Sequence, residues 1–456
     1  MKRNIFHTIL VFFVFLVGVV VGMLIYRNHI LITLNGNRNG LPDSIGVCID
    51  STNLPIIFIN TLGQKVDRKD PITARMKIIY NQSSFNYGDT IIYPKQQEDY
   101  DGYISFKYRG HTSFYDSDKK SYAIRALDKP LSEGGKKKKS KLLGMRKGKK
   151  WALVAPHIDK SMIRNALTYE LARPYMDFVP ETRFCEVIID GIYYGVYVLT
   201  EQVTADRLYL SKPTDKGDGI TGGYLLQIDS RRTNGAFMSK HWNYGYCYEY
   251  PDSNKLTQNQ RQYINNTIIQ TEDALMSQQW EMIEPLIDIE SMISYQLMTE
   301  FSHNADGYTL STFIYKFSSN DDGRFKFSLW DYDLAYGNYA VKGCSNTDTW
   351  IIKSWWKEMM KHPTYTDRLK QKWVAYRQDN LSDQHVFNTI DSLTLILQSG
   401  GAEKRNSEAW TSLWSSDWTG PKRNGAQKFL SASYEEEIEY LKEWISKRLK
   451  WMDENL

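Results

Sequence analysis

The hydrophobic pattern of the chain changes period near residue 258, and that switch limits the possible folds more than any single motif. Before it, short apolar runs alternate with Gly, Asn and Asp turns, beginning at Leu54-Pro-Ile-Ile-Phe-Ile59. Such runs bounded by turn residues read as strands. Residues 119–125 (KKSYAIR) alternate with a clear period of two. Residues 184–201 predict a hairpin turning at Asp190-Gly191, because a two-residue Asp-Gly turn matches the twist of paired strands. Residues 222–229 (GGYLLQID) predict one more strand. One helix is expected in this half, over 159–172. Asp159 or Ser161 can cap it, Met162, Ile163, Ala166 and Tyr169 mark its apolar side, and Pro174 stops it. Beyond the switch, helices are expected over 258–279 and 289–301, and mostly helix from 350 to 456. A hairpin over 309–317 and 324–330 interrupts them. The order is that of an α+β chain: a β-rich part with one helix, then a helical part with an inserted hairpin.

The chain has 456 residues, long for one hydrophobic core. The expected divisions are an N-terminal segment at 1–27, a tether at 28–52, a β-rich N-terminal region and lobe at 53–255, and a helical lobe at 256–456. Residues 5–26 form an apolar run broken only by His7 and Thr8, long enough to cross a bilayer as a helix. It lacks the short apolar core and small-residue site of a cleaved signal, so an uncleaved signal anchor is expected. Lys2 and Arg3 outweigh Arg27, which favours a cytoplasmic N-terminus and a membrane-anchored body in the cell envelope, outside the cytoplasm. Net charge is +4. Two of those charges precede the apolar run, so the body is close to neutral and gives no argument for a nucleic-acid partner. The four cysteines form no CxxC pair and no His cluster stands near them, which argues against zinc. A disulfide among them is compatible with an extracytoplasmic body. The 31 tyrosines and 13 tryptophans serve core packing or line a binding surface.

The chemistry concentrates in Ser328-Leu-Trp-Asp331-Tyr-Asp333-Leu-Ala-Tyr-Gly337. An apolar run there ends in two carboxylates on alternate positions. A strand ending this way projects both from one face. Paired carboxylates of this kind can hold Mg²⁺ against nucleotide phosphates; as turn acids they would only cap the strand. Upstream, Asp306 in Asn304-Ala-Asp306 is placed to take a proton from an acceptor. Residues 134–150 hold nine basic residues in seventeen, which reads as a solvated loop or as a contact for an anion or acidic substrate. His111 and His157 have no partner legible in the sequence.

These motifs, in their order, resemble the spore-coat CotH kinase family. The likeness rests on Arg109-Gly-His-Thr-Ser113 with Lys119-Lys-Ser-Tyr122, Trp151-Ala-Leu-Val with Asp159-Lys-Ser-Met-Ile-Arg-Asn165, and the hairpin from Asp190 to Glu201. Asn304-Ala-Asp306, Trp330-Asp-Tyr-Asp333 and the Trp- and Arg-rich C-terminal helices complete it. The likeness runs from about residue 53 to the C-terminus. It implies a divergent two-lobed protein-kinase-like fold and ATP-dependent phosphorylation of Ser, Thr or Tyr on an envelope or surface protein. Carried over by motif, Lys120 (or Lys119) would pair with nucleotide phosphate, and Arg109 with its glycine loop would lie over the phosphates. Glu201 would stand near the hinge between lobes. Asp306 would be the catalytic base. Asp331, with Asp333, would bind Mg²⁺ or Mn²⁺. Apart from the resemblance, Arg164 reads as a helix-surface ion pair or a lobe-packing residue. The family commonly places an asparagine, as a second metal ligand, where Ser311 stands here.

Two other functions compete with the kinase. A catalytically weak or inactive kinase-like scaffold of a surface layer is favoured by Ser311 and by the scarcity of ATP outside the cytoplasm. A carbohydrate-binding surface protein is suggested by the aromatic content.

Overall fold

Apolar alternation in the N-terminal half closes into a seven-stranded barrel. The structure is a computed structural model and describes residues 40–456 apart from 111, 157, 230–235, 339–344 and 415–430. The expected anchor at 5–26 lies outside the described residues. Among the described residues no helix is long and apolar enough to cross a membrane. Within the expected tether, β1 (Ser51–Thr52) already pairs with β4 (Asn86–Tyr87). The barrel strands, in spatial order, are β2 (Ile56–Asn60), β3 (Ile72–Ile79), β5 (Glu98–Arg109), β6 (Ser121–Ala126), β7 (Trp151–Val154), β9 (Ile192–Glu201) and β8 (Thr182–Ile189). Every neighbouring pair is antiparallel except β2 with β8, whose parallel ladder closes the ring. Closure removes the open edges an isolated sheet would expose. The expected hairpin is present, with Asp190 and Gly191 both at positive φ (49° and 81°). The Asp190 carboxylate accepts from the Thr61 amide at 2.8 Å and hydroxyl at 2.7 Å, tying the turn to the end of β2.

The second sheet has the order β11 (Phe237–Met238), β12 (Gly245–Tyr250), β10 (Tyr224–Asp229), β13 (Thr312–Lys316) and β14 (Lys326–Ser328). Residues 224–228 pair with residues 312–316, so this sheet draws strands from both sides of the division expected at 255/256. Pro42–Leu456 forms one compact unit.

Helices Gln258–Ser277 and Ile289–Ser302 appear close to their expected bounds. Thr257 and Gln260 form a capping box at the first, satisfying two otherwise orphaned amides. The second is buried along nearly its whole surface, as a core helix must be. Trp355 and Trp356 are fully buried beside it, and the Trp356 indole donates to the Met292 carbonyl at 3.0 Å. The helix expected over 159–172 begins only at Arg164. Met162 has φ of 62°, which interrupts helical geometry, and the Asp159 carboxylate instead accepts from the Ser161 and Arg164 amides. Cys48, Cys185 and Cys247 form no disulfide with one another.

Candidate active site

The paired acids lie on a loop rather than on a strand. Strand β14 stops at Ser328, and Asp331 adopts φ of 67°, so the two-residue side-chain period does not extend to Asp331 and Asp333. The segment is instead fixed by side chains from elsewhere. The Asp331 amide donates to the Tyr169 hydroxyl at 3.1 Å and the Tyr332 amide donates to Asn165 Oδ1 at 2.7 Å, both on the helix Arg164–Ala172. The Asn304 side-chain amide donates to the Asp331 carbonyl at 3.1 Å. The Asn338 side-chain amide donates to the Asp333 carbonyl at 2.6 Å. A non-glycine residue at positive φ is costly, and this set of partners is what holds it there.

The carboxyl groups form one electrostatic cluster. Burial pushes the Asp331 carboxyl up, Arg109 pulls it back down, and Asp229 adds to the rise. Asp333 is held well above the ordinary range by burial, then by the charges of Asp331, Asp306 and Asp159. Arg109 is lowered by burial, against the pull of Asp331, Tyr169 and Asp333. Its guanidinium lies 5.2 Å from the centre of the Trp330 ring, a cation–π distance. Gly110, at φ of 91°, turns the chain just after Arg109, and a Cβ there would sit 2.2 Å from Ser113 Oγ.

Asp306 follows the helix Ile289–Ser302 by a short turn. His303 caps that helix in the left-handed conformation, the Asp306 amide donates to Asn304 Oδ1 at 3.3 Å, and the Asp306 carbonyl accepts from the Leu310 amide at 2.9 Å. Asn304, 2% exposed, therefore touches the loops of both Asp306 and Asp331.

Among the described residues, no three His, Cys, Asp or Glu side chains form a metal cage by themselves. Mg²⁺ is commonly held by one or two carboxylates together with substrate phosphates, and Asp331 with Asp333 supplies that kind of donor set. The charge of Asp331 raises the proton affinity of Asp333, and a divalent cation would relieve that repulsion.

The structure brings Arg109, Asp306, Asp331 and Asp333 into one field. Lys119 and Lys120 precede β6 instead of lying in it. The Lys120 ammonium donates to the carbonyls of Phe114 and Ser117 at 2.6 and 2.5 Å, bracing the short helix Thr112–Asp116 beyond Arg109. Lys119 is buried between the Val196 carbonyl and Asn406 Oδ1, each at 2.6 Å. Glu201 is buried at the end of β9 in an ion cluster, 2.6 Å from Arg146 and 3.3 Å from Arg207. Ser311, at φ of 50°, directly precedes β13. Arg164 proves to be fully buried. It joins Asp159 at 2.6 Å to Glu437 at 2.8 Å and donates to the Ala335 carbonyl at 3.1 Å, just past Asp333.

The sequence placed Tyr169 only on the apolar side of a helix and pointed to no site role for Asn304, Asn165 or Asp229. Asn304 belongs to the Asn304-Ala-Asp306 motif, and the hydrogen-bonding capacity of a short amide beside a helix end is its only local signal. Asp229 ends a strand, as acids often do, and nothing local ties it to Asp331, 102 residues on.

Residues 106–452 match the family model described as CotH kinase protein. No curated protein matches the chain.

Proposed function

The chain belongs to the CotH kinase family, and from that premise we propose that it is an ATP-dependent phosphotransferase acting on hydroxyl side chains of an envelope or surface protein. In this reading the α+β body is a divergent two-lobed kinase-like fold. The helix Ile289–Ser302 leads to the base loop, and the β13–β14 hairpin leads to the metal loop. The run at 5–26 anchors the chain and leaves the body outside the cytoplasm.

The observation that carries the proposal is the joining of the Asp306 and Asp331 loops through Asn304, with Arg109 drawn to Asp331. Asp306 orients the acceptor hydroxyl and accepts its proton. Asp331 and Asp333 hold the divalent cation, and Arg109 faces the nucleotide phosphates. Asn304 keeps base and metal ligand in register. Bound ATP supplies the phosphoryl group, and Mg²⁺ or Mn²⁺ neutralises its charge. For such chemistry the protein contributes positioning and preorganised charge.

A second reading is a kinase-like scaffold. Two observations favour it: Ser311 stands where the family commonly has an asparagine, and the Lys120 ammonium binds main-chain carbonyls.

Thermal unfolding of the full chain with ATP and Mg²⁺ or Mn²⁺, beside Asp331→Ala, separates the two. A ligand that binds only the folded state raises the Tm. A metal-dependent rise that Asp331→Ala abolishes supports the phosphotransferase. No rise with either metal, in folded protein, transfers support to the scaffold.

A further inference from the structure

The basic run at 134–150 is a largely exposed loop, as one of its two readings expected, but it is not featureless. Its backbone folds back on itself, with Ser140 bridging Gly148 and Leu127 bridging Lys137. Lys137, Lys149 and Lys150 are thereby carried to a cavity of about 970 Å³. Three further cations reach the same cavity from distant parts of the chain: Arg125 from β6, Lys212 from the segment after β9, and Lys255 from just before the helix Gln258–Ser277. Facing these six are two carboxylates, Glu249 on β12 and Asp252. Among the described residues Lys150 is the only one of the six in an ion pair, 3.8 Å from Glu249. Thr257 and Gln260 also line the cavity, so the positive end of a 20-residue helix points toward it.

Like charges placed together repel, and a fold keeps such an arrangement at some loss of stability. Lys137 feels this field: its ammonium is pulled down by partial burial first and then by Arg125, Lys150 and Lys255. A single phosphate needs two or three donors, whereas six cations around one volume match several anionic groups at once. The lining is dominated by lysine, which recognises phosphate as a point charge without demanding one fixed geometry. None of these residues is Arg109, Asp306, Asp331 or Asp333.

We propose that this cavity is a second ligand site, separate from the carboxylate centre, that binds a soluble small molecule carrying two or more phosphate groups. The inference is independent of the phosphotransferase reading.

The test is calorimetric titration of the full chain with inorganic tripolyphosphate, in chelator and without divalent metal, at fixed ionic strength. The comparison proteins are the triple variant Lys149→Gln, Lys212→Gln, Lys255→Gln and, separately, Asp331→Ala. The three lysines are exposed, so circular dichroism is expected to match the parent. The expected result is a saturable site whose Kd rises tenfold or more in the triple variant and stays within twofold in Asp331→Ala. Should the triple variant not fold, Lys149→Gln and Lys255→Gln are measured singly, each expected to raise Kd at least threefold. The proposal is overturned by absence of binding to the parent, by unchanged binding in the lysine variants, or by loss of binding in Asp331→Ala. It is equally overturned if inorganic sulfate at matched ionic strength competes as well as tripolyphosphate, since that is screening rather than recognition.

Discussion

The side chain of Asn304 donates to the main-chain carbonyl of Asp331 at 3.1 Å, while its own oxygen accepts from the Asp306 amide at 3.3 Å. One buried amide thus spaces the two acids assigned to proton transfer and to metal binding. Removing it leaves a donor and an acceptor without their partner in a half-buried site. Such a loss costs about 1–3 kcal/mol. Asn304→Ala is expected to lower the Tm and to erase the shift produced by ATP with metal. Asn304→Asp keeps the acceptor and loses the donor, and adds a charge to an acidic cluster, so it is expected to fare no better. A variant with unchanged Tm and unchanged nucleotide response would remove Asn304 from the site.

Asp333 is expected to oppose folding at neutral pH. Its carboxyl is held well above the ordinary 3.8 by burial first, then by Asp331, Asp306 and Asp159. A raised acid favours the protonated form in the fold. Its contribution to stability is therefore complete below about pH 3.8 and is lost as pH rises through the folded value. Asp333→Asn removes that burden. At pH 7 without metal it is expected to melt higher than the parent, and the difference is expected to shrink as pH falls toward 4. In the same variant the metal-dependent ATP shift is expected to fall, because one ligand is gone. A lower Tm at pH 7 without metal would show that Asp333 is stabilised by partners outweighing the repulsion.

The sequence made legible what local chemistry encodes. Asp190-Gly191 predicted its hairpin because only a few dipeptides accept two positive φ angles. The helix expected from 258 begins there, although its cap, Thr257 with Gln260, came only from the structure. What escaped is non-local. Closure of the barrel depends on β2 meeting β8 in parallel across more than 120 residues, and no window of sequence contains that pairing. The positive φ at Asp331 depends on Tyr169, Asn165 and Asn304, so strand periodicity was the wrong rule for it. Lys120 was legible as a cation but its partners were not. The carbonyls it binds lie in and just after a short helix, Thr112–Asp116, where the sequence suggested a loop.

Gly110 sets the approach of Arg109. At φ of 91° an L side chain is strained, and a Cβ would meet Ser113 Oγ at 2.2 Å. Gly110→Ala is expected to cost about 1–3 kcal/mol and to weaken the ATP-dependent Tm shift by moving Arg109 from its place beside Asp331 and Trp330. Adding Ser113→Ala relieves the contact but not the backbone strain. The double variant is therefore expected to recover part of the loss. Full recovery would show that the φ angle is not what demands glycine here.

Arg164 is the buried cation that holds the loop of Asp331 and Asp333 from behind. Burial alone would lower its proton affinity, but Glu437 and then Asp159 outweigh burial and raise it, so the guanidinium stays charged inside the fold. Through the Ala335 carbonyl it also supports the chain just past Asp333. Replacing both members of a buried pair with apolar groups can be nearly neutral, whereas removing one strands the other. Arg164→Met leaves Asp159 and Glu437 buried without their cation and is expected to cost about 3–5 kcal/mol. Glu437→Gln keeps an acceptor for the guanidinium, and Asp159 remains as its counter-charge, so a distinctly smaller loss is expected. Urea unfolding of the three proteins ranks them, provided their m-values agree. If Arg164→Met were as stable as the parent, the triad would not brace the loop, and the placement of Asp331 would rest on Tyr169, Asn165 and Asn304 alone.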